Sequence, residues 1–292
     1  MMLHKTPTIN RENPIKTILF TNVRNELNMT EWSLYHLQLG FDYICIFDHK
    51  SDIPLQIKLP STRIKIIRCN WKNPVKIPLM KQAVIIAKQL NIDWMLYLDA
   101  DEFLVLNSFT HVKQMLNVFK NADSLAINWL MFGSNNHIKE PPGYIIENYT
   151  KSDLLLNKHV KSFVRPNQVT NVTNPHFFHI KNANKRVSVH GNIINNYHPE
   201  FNEAACSTEY SKSRAFIAHY VFQSEETYIN RKLKLPRDDN SKFRTEDKNM
   251  HDKHNQVENV FVKDKYLDRI KKVLETSTPS SSSSSSPASA TS

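Results

Sequence analysis

Three acidic residues after a short apolar run are the strongest candidates for chemistry in this sequence. The run Trp94–Leu98 is typical of a buried strand, and Asp99, Asp101 and Glu102 follow it. Along an extended segment alternate side chains point the same way, so Asp99 and Asp101 could grip one hard divalent cation. Water and phosphate oxygens would fill its other positions, and the cation would neutralise charge on a departing diphosphate. A simple helix cap remains the alternative for so short a motif.

Polar residues also follow two other predicted strands, Thr17–Val23 and Tyr43–Phe47. The residues after these strands are Arg24, Asn25 and Glu26, and then Asp48 and Ser51. In a parallel sheet the carboxyl ends of neighbouring strands meet at one edge, so these side chains are expected near Asp99, where they could bind a base and ribose. Each alone is equally explained by turn formation.

Two later stretches are further candidates. Trp129 precedes a polar loop that contains Gly133 and Ser134, and an aromatic side chain beside hydrogen-bonding groups suits a sugar pocket. Trp129 could equally be a core residue. His219 lies in an apolar stretch, where a single histidine is more often structural than catalytic.

The elements that position these residues alternate along the chain. The capping pair Asn28 and Glu31 predicts a helix that Gly40 ends. The other predicted elements are strands at Arg63–Cys69, Leu125–Met131, Lys161–Arg165 and His176–Ile180, and helices at Leu79–Leu90, Thr110–Phe119, Phe216–Lys234 and Val257–Leu274. Alternating strands and helices predict an α/β fold with a mostly parallel central sheet flanked by helices, a small added sheet and C-terminal helices.

Composition limits the domain organisation and the compartment. Residues 17–275 predict a single domain, after a flexible N-terminus at 1–16 and before a disordered Ser-rich tail at 276–292. No apolar run is long enough to span a bilayer and the N-terminus has no signal-peptide core, so a cytoplasmic protein without a membrane anchor is expected. Three scattered cysteines, Cys45, Cys69 and Cys206, predict buried thiols.

The charge balance favours a polyanionic partner. Lys and Arg number 38 against 28 Asp and Glu, a net charge of +10, with the densest basic groups at Lys181–Arg186 and Arg231–Arg244. A nucleotide diphosphate fits this charge as well as a nucleic acid does. Only 4 glycines are present and no glycine-rich phosphate loop occurs, which argues against the commonest kinase, NTPase and dehydrogenase classes.

Several stretches in one order resemble glycosyltransferases of the GT-A fold, most closely family 92 and the related family 2-like group. The stretches are Asn25–Glu26 with Glu31–Trp32 and His36, Leu39–Asp42, Phe47–Asp48 with Ser51, Trp94–Phe103, Trp129–His137, Lys161–Pro166 and His219–Glu226. They cover most of residues 17–235. No membrane anchor precedes the domain, unlike in secretory-pathway members, so host cytoplasm, or a virion if the source is viral, is the expected location.

The resemblance implies metal-dependent transfer of a sugar from a nucleotide donor, usually a UDP-sugar, to a hydroxyl of a glycan or glycoprotein. Its implied metal ligands for manganese or magnesium are Asp99, Asp101 and His219. Its implied nucleotide side comprises Thr21, Arg24, Asn25, Glu26 and Asp48, and its implied donor or acceptor side comprises Trp129, Gly133 and Ser134. The candidate catalytic bases are Glu147 and Glu225.

Two other classes stay open from the residues. A metal-dependent nucleotidyl- or phosphotransferase could use the same pair of carboxylates, and would release pyrophosphate instead of a nucleoside diphosphate. A non-enzymatic basic protein would bind nucleic acid in a salt-sensitive way and ignore manganese. Nucleic acid is not the expected partner.

Overall fold

The computed structural model describes residues 14–59, 61–194, 207, 210–246 and 249–277. Its strands are β1 Thr17–Val23, β2 Tyr43–His49, β3 Ile64–Cys69, β4 Trp94–Tyr97, β5 Glu102–Leu106, β6 Ser124–Met131, β7 Lys151–Ser152, β8 Val160–Val164, β9 Val169–Asn171, β10 His179–Ile180, β11 Arg186–Ser188, β12 Ala215–His219 and β13 Val257–Glu258. Its helices are α1 Met29–Gln38, α2 Lys76–Gln89, α3 Val112–Val118, α4 Ile145–Asn148, α5 Glu225–Tyr228 and α6 Phe261–Ser277. A π-helical turn, Ile229–Leu233, follows α5.

The central sheet has the strand order β3-β2-β1-β4-β8-β6-β12-β5, and β11 pairs with β6 outside this path. Strands β1 to β4 are mutually parallel, and β8 is antiparallel to both β4 and β6. Strands β6, β11 and β12 therefore run in the same direction as β4, whereas β5 is antiparallel to β12. The carboxyl ends of β1, β2, β4, β6 and β12 consequently meet at one edge. This confirms the predicted α/β fold with a mostly parallel sheet.

Period-two alternation along the strands places helices on both faces of the sheet. In β1, Ile18 and Phe20 pack on the α2 side, whereas Leu19 and Val23 pack on the side of α1, α3 and α6. Strands β2 and β4 alternate in the same way. Nearly every residue of these strands is buried, as expected for parallel strands covered on both faces.

Helix α1 ends at the predicted glycine. Gly40 has φ +97°, and a Cβ atom there would lie 1.7 Å from a ring carbon of His111. The positive φ therefore requires glycine, and the absence of a Cβ lets the His111 ring pack against the backbone. The predicted capping pair that opens α1 is wrong: the Asn28 side chain makes no capping hydrogen bond, and the Glu31 carboxylate instead accepts the backbone N–H groups of Ile145 and Ile146 at 2.8 and 3.1 Å.

The predicted helix at Phe216–Lys234 is also wrong in its first part. Residues Ala215–His219 form strand β12, which is hydrogen-bonded to β5 on one side and to β6 on the other. The apolar run has no polar residues to set a period, so its sequence fits a buried strand as well as a helix. Hydrogen bonding to a neighbouring strand on each side stabilises the extended conformation. Glu102–Leu106, which the sequence left unassigned, forms its antiparallel partner.

The small additions to the sheet match the expected architecture. Strands β9 and β10 form one antiparallel pair, and β7 and β13 form another. Cys45 and Cys69 are buried free thiols, as predicted, while Cys206 lies outside the described residues. Within the described ranges, no helix is both long and apolar enough to cross a membrane. The expected flexible N-terminus and Ser-rich tail fall mainly outside these ranges, although α6 extends to Ser277.

Candidate active site

A charged cleft lies at the carboxyl edge of the sheet. Its charged lining residues are Arg24, Glu26, Lys76, Asp99, Asp101, Lys161, Arg231, Lys232, Arg237, Asp238, Asp239 and Arg244. Trp129, His176 and His219 form part of the wall. The cleft is therefore built where ligands bind in open α/β sheets, and it brings together the acids after β4, the tryptophan of β6 and the histidine that ends β12.

Asp99 lies between two lysines. Lys161 Nζ donates to Asp99 Oδ2 at 2.9 Å, and Lys76 Nζ donates to Asp99 Oδ1. Burial alone would raise the pKa of Asp99, but Lys161 and Lys76 outweigh it and hold this pKa well below its usual range. Asp99 is therefore ionised, with both of its carboxylate oxygens already paired.

Asp101 makes a separate set of contacts. Lys232 Nζ donates to Asp101 Oδ2 at 2.7 Å, and His219 Nε2 lies 3.6 Å from Oδ1. Burial would raise the pKa of Asp101, yet Lys232 and His219 lower it well below its usual range. His219 is placed by the sheet itself, because β12 pairs with β5 and sets His219 opposite Glu102.

Glu102 lies fully buried behind these acids. One of its carboxylate oxygens accepts the Asp99 backbone N–H at 2.9 Å, and the other, Oε1, has no hydrogen-bond partner and lies 3.6 Å from Lys161 Nζ. Burial raises the pKa of Glu102 to about 7, against the opposing effect of Lys161. Glu102 thus fixes the Asp99 backbone from the buried side of the cleft.

Trp129 forms an aromatic wall beside the acids. Its ring centroid lies 4.4 Å from that of His219 and 5.0 Å from that of His176, and Lys161 Nζ lies 5.8 Å above the indole. The Trp129 indole nitrogen and His219 Nδ1 are buried without a hydrogen-bond partner. His159 also stacks on the indole at 5.4 Å between ring centroids, and Trp129 is 9% exposed, so it contributes a small aromatic surface to the cleft.

The residues predicted for the nucleotide side divide into two groups. Arg24 and Glu26 line the cleft, and Glu26 accepts from the guanidinium of Arg231 at 2.9 Å. The other three lie outside the lining. Thr21 is buried within β1, the Asn25 amide donates to Asp52 at 2.9 Å, and Asp48 pairs with Arg68 at 2.8 Å. Asn25 and Asp48 therefore shape the loop after β2.

Gly133, Ser134 and Glu225 lie outside the cleft lining, in a second polar cluster. Ser134 Oγ lies 2.9 Å from His251 Nδ1, and His251 Nε2 lies 3.4 Å from Glu225 Oε2. A Cβ atom on Gly133 would lie 2.2 Å from the side-chain oxygen of Asn255, so the glycine permits this close approach. The cluster joins the loop after β6 to the start of α5.

Glu147 is held elsewhere. Its carboxylate accepts from Lys271 Nζ of α6 at 2.6 Å, and it is not part of the cleft lining. The structure thus brings together Asp99, Asp101 and His219, but it places the two predicted bases in other surroundings.

The two buried lysines and the role of the late basic residues were not predicted from the sequence. Lys161 belonged to a predicted strand and to a stretch of family resemblance but was not a candidate site residue, and Lys76 follows an unremarkable Pro-Val pair. The basic segment Arg231–Arg244 did carry a signal, its charge density. Four of its residues, Arg231, Lys232, Arg237 and Arg244, reach the cleft.

The part of the chain that is similar to known proteins includes most of the cleft residues. The family model for glycosyltransferase family 92 matches residues 86–258, a range that contains Asp99, Asp101, Trp129 and His219. A glycosyltransferase family 92 protein of Ricinus communis is 26% identical over 210 residues, which are 65% of this chain and 37% of that protein.

A second family 92 protein, from Oryza sativa subsp. japonica, is 26% identical over 196 residues, which are 61% of this chain and 32% of that protein. The matched stretches thus span about a third of these relatives. Among solved structures, HddC from Yersinia pseudotuberculosis is 8% identical with a TM-score of 0.31, over 56% of this chain and 83% of that chain.

Proposed function

The chain belongs to glycosyltransferase family 92, and on that premise we propose that it transfers a sugar from a nucleotide-sugar donor, a UDP-sugar, to a hydroxyl of a glycan or glycoprotein. The observation that carries this proposal is the cleft at the carboxyl edge of the sheet. It combines Asp101 and His219 with a set of lysine and arginine side chains and an aromatic wall. These are the groups that an anionic diphosphate with an attached sugar requires.

In this proposal a divalent cation, Mn²⁺ or Mg²⁺, would take Asp101 and His219 as two of its ligands; the described residues contain no group of three or more His, Cys, Asp or Glu side chains around one metal position. The two side chains are buried and their polar atoms are 3.6 Å apart, and a carboxylate with an imidazole is a suitable partial donor set. When bound, the cation would stabilise negative charge on the departing nucleoside diphosphate. Asp99 fits less well as a ligand, because both of its oxygens are taken by Lys76 and Lys161.

The side chains of the cleft have distinct roles in this proposal. Arg231 and Lys232 orient the diphosphate, while Trp129 packs against the sugar. Electrostatic groups fixed before the reaction stabilise developing charge most effectively, because they need no reorganisation. Arg231 meets this condition, since Glu26 holds its guanidinium in place.

We assign the base on the acceptor side to Glu225 in preference to Glu147. Glu225 lies outside the lining but only four residues after the lining residue Val221, and its carboxylate is 3.4 Å from His251 Nε2, whereas Glu147 is paired with Lys271 of α6. Removing a general base lowers turnover by about 100-fold or more. Glu225→Gln should do so without changing the affinity for the donor, and normal turnover in this variant would exclude Glu225.

The first experiment is a thermal-shift panel of UDP-, GDP-, CMP- and dTDP-sugars, with and without Mn²⁺. It compares the wild type with Asp101→Ala, and uses Asp268→Ala on the exposed side of α6 as a matched control. In Mn²⁺, one nucleotide class should stabilise the wild type and the control more than Asp101→Ala, because binding to the native state raises its stability.

Absence of a shift with every ligand would contradict the proposal. Two results would favour the other classes. Release of pyrophosphate instead of a nucleoside diphosphate would indicate a nucleotidyltransferase. Salt-sensitive binding of nucleic acid without any response to Mn²⁺ would indicate a basic binding protein.

A further inference from the structure

Two lysines of the cleft are buried to an unusual degree. Lys76, at the start of α2, is 2% exposed, and Lys161, in β8, is 1% exposed. A buried ammonium group loses much of its hydration, so it needs a nearby anion and further hydrogen bonds. Helix α2 packs on one face of the sheet and β8 is a strand within it, and the two ammonium groups meet at one point in the cleft lining.

That point is occupied by the carboxylate of Asp99. Each of its oxygens accepts from one lysine, with the Lys161 contact at 2.9 Å. The other oxygens near the lysines are further away: Asp238 lies 3.6 Å from Lys76, while Glu102 and the Pro175 carbonyl lie 3.6 and 3.4 Å from Lys161. The Asp99 carboxylate is thus the central anion of the cluster.

Asp99 differs from its two partners in accessibility. Its side chain is 35% exposed, whereas the side chains of Lys76 and Lys161 are 3% and 1% exposed. The lysine side chains are almost fully enclosed, whereas the Asp99 carboxylate is exposed to the cleft. An anion that enters the cleft could therefore take its place without any movement of the sheet.

The charge of the lining leaves room for such an anion. Seven lysine and arginine residues line the cleft against five aspartate and glutamate residues, an excess of two positive charges. The excess is one if Glu102, buried behind the lining, is counted as ionised. The diphosphate of a nucleotide sugar carries a negative charge on each phosphate and would neutralise this excess.

We propose that the Asp99 carboxylate occupies a phosphate site, and that a phosphate group of the donor replaces it between Lys76 and Lys161. The inference rests on the proposed function and makes it more specific. The two acids of the motif then have different roles. Asp101 is a cation ligand together with His219, and Asp99 is the counter-ion of the two lysines. Part of the diphosphate affinity then comes from side-chain cations and needs no metal.

The test is calorimetric titration of UDP and of inorganic pyrophosphate into the wild type and variants, in EDTA and, for UDP, also in Mn²⁺. UDP and pyrophosphate should both bind the wild type in EDTA. Lys76→Met and Lys161→Met should each weaken binding in EDTA by about 10- to 100-fold, the usual effect of losing a hydrogen bond to a charged group. Lys88→Met, on α2 but outside the lining, is the matched control and should bind like the wild type.

Asp99→Asn is the decisive variant. It removes the competing carboxylate and keeps the shape of the side chain, so it should tighten UDP binding in EDTA by about 3- to 10-fold. If Asp99 were instead a metal ligand, the same substitution would weaken UDP binding in Mn²⁺. Thermal unfolding checks that each variant is folded, and if Lys161→Met is not, Lys76→Met and Asp99→Asn still decide the matter.

The failures of the two proposals are distinguishable. UDP binding that requires Mn²⁺ and is lost in Asp99→Asn would overturn this inference and leave the proposed glycosyltransferase function intact. Absence of binding by UDP, by the other nucleotide sugars and by pyrophosphate in every condition would overturn both.

Discussion

Buried polar side chains form two contrasting groups in this molecule, one on helix α1 and one in the cleft. On α1, the Trp32 indole donates to the Glu102 carbonyl oxygen at 2.8 Å, and the Tyr35 hydroxyl donates to the Leu104 carbonyl oxygen at 2.8 Å. His36 accepts the Leu104 backbone N–H at 3.3 Å. The partners of this group are backbone atoms.

In the cleft the partners are other charged side chains. Asp99 pairs with Lys76 and Lys161, and Asp101 pairs with Lys232. Backbone partners are fixed by the fold, whereas side-chain partners can turn toward a ligand and leave the secondary structure unchanged. The contrast teaches that the α1 group maintains the architecture and the cleft group is available for binding.

The largest effect is expected for Asp101→Asn. Loss of one electrostatic group that stabilises the transition state lowers turnover by about 100- to 1000-fold. The unfolding temperature should change little, because Lys232 is partly exposed and can turn to solvent. The measurements are turnover of the donor found in the ligand panel and a thermal melt. A large fall in stability with unchanged turnover would place Asp101 with the architectural group.

A second prediction concerns the pH dependence of stability through Glu31. Burial raises the pKa of Glu31 from 4.5 to about 8, and the two backbone N–H bonds from Ile145 and Ile146 oppose it. The folded state therefore holds a proton that the unfolded state has lost, so stability present at low pH declines as the pH rises from about 4.5 to 8.

Glu31→Gln should flatten this dependence. Relative to the wild type, its free energy of unfolding should gain on the order of 3 kcal/mol between pH 5 and 8. Denaturant titrations at several pH values measure the difference, in which contributions from other titrating groups cancel. Parallel curves for the two proteins would show that Glu31 is ionised in the folded state.

A smaller loss of stability is expected for His36→Leu. Burial lowers the pKa of His36 to about 3, so the ring is neutral and its Nε2 accepts the Leu104 N–H. Leaving that buried N–H unpaired should cost about 2 kcal/mol of unfolding free energy. Donor affinity should stay at the wild-type value, and a parallel loss of affinity in the folded variant would break the distinction between the two groups.

The smallest effect is expected for Glu147→Gln. Its partner Lys271 is a solvent-accessible residue of α6, so neither donor turnover nor stability should change measurably. Steady-state kinetics with the panel donor provide the check. A fall of 100-fold in turnover would instead make Glu147 the base and move the acceptor side of the site toward α6.

Local patterns predicted the sheet and one side of the cleft. The apolar runs before Arg24, Asp48 and Asp99 identified β1, β2 and β4, because a buried parallel strand has no polar interruptions. Strand β12 was mistaken for a helix, since its identity depends on pairing with β5 and β6. A uniformly apolar run gives no indication of a pairing strand that is distant in the sequence.

The same limit applied to the charged residues. Asp99 and Asp101 carried a local signal, the spacing of two acids after a strand. Lys76 and Lys161 carried none, because they meet Asp99 from positions 23 and 62 residues away along the chain. Glu31 looked like a capping residue by spacing, but α4 supplied its partners from 114 residues away.

The register of β12 has a consequence for how this protein can change in length. Ala215 pairs with Leu106 and His219 pairs with Glu102, so the number of residues in β12 fixes the position of His219 beside Asp101 and Glu102. Insertion of one residue within the strand would turn each following side chain to the opposite face and put another residue where His219 now lies. Insertions before Ala215 would leave the register between β12 and β5 unchanged. Over evolution, length variation should therefore accumulate before this strand and be absent within it.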